Sequence, residues 1–486
     1  MVEIRVIKQW KNKNPGDIVE TNIESAENFV SQGFAEYVVK EKLVVEPNQT
    51  EQKKIYISSI INDKIIVEQV NVDGQNLFVV FNVDEQNWKQ VVPPFIFEGE
   101  EYMPHQGEEI KKSVVHLTGL PQEYESEDKL NEEIIAFIDK WLNIDNDHKQ
   151  HALLNIKRSW VYERFHTLNY LRALGDFGTG KSRYLETLGL LHYKPIITSG
   201  ASTAAPIFRI IEKWKGTLLI DEGDFKFSDE TQDIIKIINL GFEKGKALMR
   251  CNKNDPNKIE FFEPFGPKIL ATRRAFQDQA TESRCFTKIM DGVTRPDIPV
   301  EVDDSFYREA HDLRCKLLLW RFRRFHKIDL EKAKKVDLGD LEPRIRQANQ
   351  SFVALFADDE EQIKKFKAYL QDYQKQLVEE RRGTFNGEIL ETLHKLIIED
   401  RKDYRYITLQ DIVDRGEFKD KNGDLMITRK LTPYFKQFGI EAKNKNIPGE
   451  NVTKRCLEFT PEKIVQIWKK YGFDANVGDV MDTLKE

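Results

Sequence analysis

Cysteine is scarce in this chain: four in 486 residues, at Cys251, Cys285, Cys315 and Cys456, with no Cys-x-x-Cys pair. That spacing argues against a zinc ribbon or a disulfide framework and fits a reducing, cytoplasmic compartment. Long apolar runs are missing as well. Stretches such as TLLID and KLLLW are short, well below the roughly 18 residues that a membrane-spanning helix needs. The opening MVEIRVIKQWKNKN lacks the apolar centre of a signal peptide. No membrane partner is expected. Positive charge is not in surplus: 74 Lys and Arg against 81 Asp and Glu give a net charge of −7. Contact with nucleic acid would therefore have to come from a local basic patch. No internal repeat or low-complexity tract is visible.

What is present divides into several units. Residues 1–45 read as a small α+β unit: strand-like EIRVIKQW, a Pro15-Gly16 turn, a short helix stopped by Gly33, then a strand. Residues 46–115 read as a β-rich domain, with KIIVEQVNV and NLFVVFNV joined by an Asp-Gly turn, a hairpin signal. These first 115 residues fit an adaptor or dimerisation module. Residues 116–300 begin with helices of period 3.6, EDKLNEEIIAFIDKWLNI and HALLNIKRSWVYERF, and continue as an α/β block. Residues 301–383 are helical, 384–475 mix helices with short strands, and 476–486 read as a flexible tail.

The α/β block carries the chemistry. GDFGTGKS, residues 175–182, fits G-x-x-x-x-G-K-[ST] between a strand-like and a helix-like run. Gly175, Gly178 and Gly180 allow the backbone to turn its N–H groups inward onto phosphate oxygens. The helix that starts near Lys181 adds its positive end. The segment from Gly175 through Asp176, Phe177, Thr179, Lys181 and Ser182 to Arg183 is thus the expected nucleotide-binding stretch. Lys181 is placed for the β- and γ-phosphates of ATP and Ser182 for Mg²⁺. Forty residues beyond Lys181, the apolar strand GTLLIDEGD ends in Asp221 and Glu222. Asp221 suits the metal, through water, and Glu222 suits activation of the attacking water. A third strand, PKILATRRAF, ends at Thr272, in position to meet the γ-phosphate or the attacking water. Arg284 precedes a further strand and is a candidate to stabilise the charge on a neighbouring subunit's nucleotide, with Arg273 and Arg274 as rivals.

Two stretches are candidates for nucleic acid. Residues 237–266 place Lys244, Lys246, Arg250, Lys253 and Lys258 around a loop that either faces a pore or is simply solvated. From Arg429 to Arg455 seven Lys and Arg face two acids. Arg429, Lys430 and Lys436 lie on a helix, and Lys443, Lys445, Lys454 and Arg455 on a hairpin. The order of helix, helix, helix and wing is that of a winged helix, which binds either DNA or a protein partner.

The stretches SGASTAAPIFRIIEKWKGTLLIDEGDF, IINLGFEKGKALMRC and FGPKILATRRAFQDQATESRCFTKIM resemble a family of phage, plasmid and mobile-element ATPases. These are AAA+ or superfamily-3-like P-loop proteins, often fused or linked to primase-polymerases. The resemblance covers about residues 150–300. It implies an AAA+-like ATPase core with a helical lid, a homo-oligomeric ring with a hexamer favoured, and Arg284 as a trans-acting finger. LEPRIRQANQSFVALFADDEE looks like the lid, and Arg344 or Arg346 would sense nucleotide in the same subunit. Thr272 stands where many ring helicases have Asn, and residues 1–115 show no primase signature. A DNA helicase or translocase of a mobile-element replication system is the implied function, with a primase or similar protein as partner of the N-terminal region. A regulatory or defence-associated ATPase that assembles on a protein partner remains the alternative. A small-molecule P-loop kinase is disfavoured by Glu222, by Arg284 and by the C-terminal unit.

Overall fold

The computed structural model describes residues 2–9, 12–37, 54–199, 202–221, 229–252, 255, 257–276, 278–292, 295–419, 423, 425–447 and 452–484. The chain is a mixed α/β, multidomain protein. The first unit is a three-stranded sheet of β1 (Val2–Val6), β2 (Ile18–Thr21) and β3 (Ala35–Tyr37), with α1 (Ile23–Ser31) packed on it. Asn22 caps that helix by accepting the Ser25 N–H.

The β-rich region contains β4 (Ile55–Ile57), β5 (Ser59–Ile61), β6 (Ile65–Val72), β7 (Gln75–Asn82), β8 (Asn87–Val91), β9 (Phe95–Phe97) and β10 (Glu100–Pro104). β5 to β8 form a meander, and β4, β10 and β9 form a second small sheet. The hairpin between β6 and β7 turns at Asp73 and Gly74, both with positive φ, which is the geometry that the Asp-Gly pair supplies.

This region does not stand apart. Ile66, Val70, Val79 and Phe81 from β6 and β7 belong to the same hydrophobic core as the leading helices α3 (Glu127–Trp141) and α4 (Asn146–Ser159); the short α2 (Glu108–Lys111) precedes them. Glu68, on β6 and 1% exposed, lies within 2.8 Å of Lys194 Nζ and 2.9 Å of Arg321 Nε, and accepts the Tyr193 hydroxyl at 2.8 Å. Burial pushes the Lys194 ammonium down, and the Glu68 carboxylate opposes this. Glu68→Ala would leave the buried Lys194 without its carboxylate and Arg321 with Glu163 alone. It is expected to cost on the order of 3–5 kcal/mol. A melting temperature within about 2 °C of the parent would show that the cluster is dispensable.

The central sheet has five parallel strands: β11 (Tyr170–Leu174), β12 (Pro195–Ser199), β13 (Thr217–Asp221), β16 (Lys268–Thr272) and β17 (Cys285–Ile289), in the order β12-β13-β16-β11-β17. Its inner strands are buried, so β13 and β16 read as the short apolar runs LLI and ILA, while the buried Arg172 of β11 pairs with Glu282. Between them lie α5 (Lys181–Gly189), α6 (Ala204–Trp214), α7 (Asp229–Leu240), the hairpin of β14 (Leu248–Cys251) and β15 (Ile259–Phe262), and α8 (Gln279–Glu282). The helices α9 (Asp304–Arg324), α10 (Leu330–Lys334), α11 (Pro343–Val353) and α12 (Glu360–Arg382) pack back onto the same core through Leu317, Trp320, Phe352 and Phe366.

The C-terminal unit has its own core. It holds α13 (Phe385–His394), α14 (Leu409–Gly416), α15 (Thr428–Gln437), the hairpin β18 (Glu441–Asn446) and β19 (Thr453–Glu458), α16 (Pro461–Lys470) and α17 (Val477–Met481). The expected flexible tail from 476 is corrected here. Asn476 and Asp479 form a reciprocal capping box, and Val480 is fully buried, so the segment closes as α17.

Candidate nucleotide site

All five central strands run in one direction, so their carboxyl ends form one edge, where ligands of open α/β sheets bind. Leu174 is level with Thr272 on one side and Ile289 on the other. β16 lies between β11 and β13, so Thr272 stands between the glycine loop and Asp221. The Gly175 N–H donates to the Thr272 carbonyl at 3.2 Å, which ties the start of the loop to the end of β16.

The loop needs its glycines for two reasons. Gly178 and Gly180 have φ of +72° and +92°, a region that other residues avoid. Gly175 is required by close approach: a Cβ there would lie 2.6 Å from the Met290 carbonyl oxygen. Lys181 opens α5 directly after the left-handed Gly180. Its Nζ donates to the Asp176 carbonyl at 2.5 Å, and the Thr179 hydroxyl donates to the same oxygen at 2.8 Å. Ser182 is the second residue of that helix. Thr272 is 1% exposed, and its hydroxyl has no hydrogen-bond partner among the described residues. A buried, unsatisfied hydroxyl at this edge is the kind of group that a ligand or its water completes.

Behind the loop, His148 of α4 meets the Tyr184 hydroxyl of α5 at 2.8 Å. Complete burial pushes the pKa of His148 down to about 4, so this helix-to-helix bond is made by a neutral ring. The sequence reading did not single out this pair; a histidine on an apolar helix face gives no signal of its partner.

The structure does not bring every expected residue here. Glu222 lies outside the described residues, as does Lys253. Arg183 turns away from the loop, with its guanidinium donating to the carbonyls of Pro299 and Val300 at 3.0 and 2.8 Å. Arg346 donates to the Gly339 carbonyl at 2.8 Å.

Arg284 and Arg344 form a separate pair. Each guanidinium lies 5.2 Å from the Phe242 ring. Phe242 lies beside the segment that leads into β11, since its carbonyl accepts the Leu168 N–H. Arg284 directly precedes β17, whose first residue is level with Tyr170. Both arginines are therefore at the amino edge of the sheet, about 17 Å along the five-residue β11 from the glycine loop at the ordinary strand rise. This corrects Arg344 as a sensor of its own subunit's nucleotide. The Nε atoms of both are buried, with no hydrogen-bond partner among the described residues. Burial, and then the charge of Arg284, push Arg344 below its ordinary value.

The candidate nucleic-acid residues also sort themselves. Arg250 is corrected: β14 alternates, Leu248 and Arg250 inward, Met249 and Cys251 outward, and Asp233 takes the Arg250 guanidinium at 2.6 Å over the Phe208 ring. Lys244 donates to the Glu163 carbonyl at 2.9 Å, and Lys246 pairs with Glu243 at 2.6 Å. Lys258 is exposed on the segment entering β15. In the C-terminal unit, Arg429, Lys430 and Lys436 are exposed on α15, while Leu431 and Phe435 bury its other face. Lys454 and Arg455 are exposed on β19. Lys443 pairs with Glu458 at 2.5 Å and Lys445 donates to the Arg405 carbonyl at 3.1 Å. The bond from the Leu457 N–H to the Ile407 carbonyl, 2.7 Å, ties the hairpin to the segment before α14.

A glycine-rich loop between a parallel strand and a helix, with an acid-tipped strand one place removed across the sheet, is the strand–loop–helix arrangement of a P-loop. No family model matches the chain, and no curated protein matches it. Solved structures similar to it include the C-terminal region of NrS-1 in its apo form, with 12% identity, a TM-score of 0.37, and coverage of 81% of this chain and 96% of that one. A SCCmec type IV Cch described as an active helicase has 10% identity and a TM-score of 0.38 over 96% of this chain and 91% of its own. A full-length MCM homolog from Methanopyrus kandleri has 9% identity and a TM-score of 0.33 over 65% and 75%. Likenesses of this size decide nothing about chemistry, which rests on the site itself. Among the described residues, no helix is long and apolar enough to cross a membrane.

Proposed function

We propose that the chain is a Mg-ATP-hydrolysing ATPase that works as a ring and moves along DNA, a helicase or translocase of a phage, plasmid or mobile-element replication system. The observation that carries this reading is the meeting of the glycine loop, the unsatisfied Thr272 hydroxyl and Asp221 at one sheet edge. In this reading Lys181 and the loop amides hold the phosphates, and Thr272 positions the attacking water that Glu222 polarises. Ser182 and Asp221 offer only oxygen donors, which fits Mg²⁺. That ion would supply charge neutralisation on the phosphates.

Arg284, with Arg344 beside it, cannot serve its own loop across the sheet. Two guanidiniums that share one aromatic ring at the edge away from their own loop fit the phosphates of a neighbouring copy. This supports a ring with shared sites.

The C-terminal unit is the proposed DNA-binding element, as a winged helix with α15 as its recognition helix and β18–β19 as its wing. Replacing Arg429, Lys430 and Lys436 with Glu is expected to weaken binding of single-stranded or forked DNA and to lower the salt slope by about 2, at roughly 0.7 per lost phosphate contact. Fluorescence anisotropy over a salt series reads this. An unchanged slope would move the DNA contact elsewhere. The deciding experiment for the whole reading is ATP turnover with and without forked DNA. Turnover indifferent to every DNA form, together with capture of a protein by a Glu222→Gln variant, would favour a partner-bound regulatory ATPase.

A further inference from the structure

The connection from β16 to β17 leaves the carboxyl edge of the sheet and returns to the amino edge, where Arg284 sits. A charge pair anchors it. Arg172, the middle residue of β11, is 1% exposed. It is level with Leu270 of β16 and Thr287 of β17. Its Nε donates to the Thr287 hydroxyl at 3.0 Å. Its two terminal nitrogens donate one to each carboxylate oxygen of Glu282, the first at 2.6 Å. The same carboxylate accepts the Phe276 N–H at 2.8 Å, so it gathers both ends of the connection. Arg284 follows two residues later. Its N–H donates to the Thr281 carbonyl at 3.1 Å, and its guanidinium donates to the Ala280 carbonyl. Its own carbonyl accepts the Tyr170 N–H at 2.9 Å. The turn that carries Arg284 is thereby tied twice to β11, the strand that feeds the glycine loop.

We propose that Arg172 and Glu282 are positioning residues that aim Arg284 at the nucleotide of a neighbouring copy. This rests on the shared-site reading above. A bidentate guanidinium–carboxylate pair fixes orientation as well as distance. Arg172 is packed within the sheet, so the position of Glu282, and of the turn after it, is referred to the rigid core. That precision matters for a group supplied across an interface, because a displacement of about 1 Å at a reacting centre costs about 10²-fold.

The test is subunit mixing with the full chain. Glu282→Gln keeps the side-chain volume and removes the charge. It is expected to lower kcat for ATP about 10- to 100-fold, with KM and ADP binding within about 2-fold of the parent. Lys181→Ala subunits carry intact Arg172, Glu282 and Arg284. An equal mixture of them with Glu282→Gln should therefore rise toward about a quarter of the parent rate. An equal mixture of Glu282→Gln with Arg284→Ala should gain nothing, because no subunit in it presents a correctly held arginine. Recovery with Arg284→Ala would mean that the pair serves its own loop, and recovery with neither partner would mean a general loss of structure. Either result overturns the proposal, as does a kcat within about 2-fold of the parent. Should Glu282→Gln fail to fold, Glu282→Asp keeps the charge on a shorter arm and is read in the same two mixtures. Failure of Lys181→Ala and Arg284→Ala to rescue each other sinks the shared-site reading, and the proposal with it. Rescue between those two without the expected pattern for Glu282 sinks the proposal alone.

Discussion

Lys181→Ala is expected to lower ATP hydrolysis by about 10²- to 10³-fold, the scale of removing one donor from the charge that develops in the transition state. The side chain opens α5 and donates to the Asp176 carbonyl on the exposed surface of the loop. Alanine is the best helix former, so α5 should hold, and no packed volume is lost. The melting temperature should therefore match the parent within about 2 °C, since an exposed substitution shifts stability by no more than about 0.5 kcal/mol. Loss of hydrolysis with unchanged melting assigns the effect to the site. Phosphate release under saturating ATP and Mg²⁺ measures it, and binding of labelled ATP separates capture from chemistry. If the variant turns ATP over within about 10-fold of the parent, Lys181 is not at the phosphates, and the class reading of the loop fails.

The signals readable in the sequence are local ones. Gly178 and Gly180 announce a backbone that only glycine adopts easily, and Asp73-Gly74 announces a hairpin for the same reason. β13 and β16 are legible because burial on both faces leaves the short apolar runs LLI and ILA. What fails to show is long-range. Nothing in RIR at 344–346 says that Arg344 shares Phe242 with Arg284, because three separate segments make that contact. Arg250 reads as a basic loop residue, yet strand alternation turns it toward Asp233. The boundary near residue 115 marks a change of period, while the side chains of β6 and β7 cross it to join one core. The short DVMDTL stretch looks frayed by composition, and its burial depends on a core built almost a hundred residues earlier along the chain. The pairing of Arg172 with Glu282 has no signature either, because 110 residues separate the two.

Arg284→Ala is expected to retain nucleotide binding and to lose hydrolysis by about 10³-fold, the low end of what an arginine supplied in trans contributes. The reasoning is geometric. Arg284 lies at the amino edge of the sheet and its own loop at the carboxyl edge, so a cis role would require it to cross the full length of β11. Its side-chain hydrogen bond goes to the Ala280 carbonyl, and among the described residues its Nε has no partner and its removal breaks no ion pair, so the fold should stay intact. The same defect from a cis arginine would look identical in a single variant, so the discriminating measurement is a mixture. A Lys181→Ala subunit still carries Arg284, and an Arg284→Ala subunit still carries an intact loop. In a closed ring assembled at random from equal amounts, about a quarter of the interfaces join the intact loop to the intact arginine. Two inactive preparations are then expected to regain activity on mixing, toward about a quarter of the parent rate if each interface fires independently. Arg344→Ala should follow the same pattern, since it presents its charge beside the same ring of Phe242. A mixture that stays inactive while light scattering shows mixed oligomers would place the arginine in cis or outside the chemistry. Weakened nucleotide binding by Arg284→Ala in a monomeric preparation would point the same way.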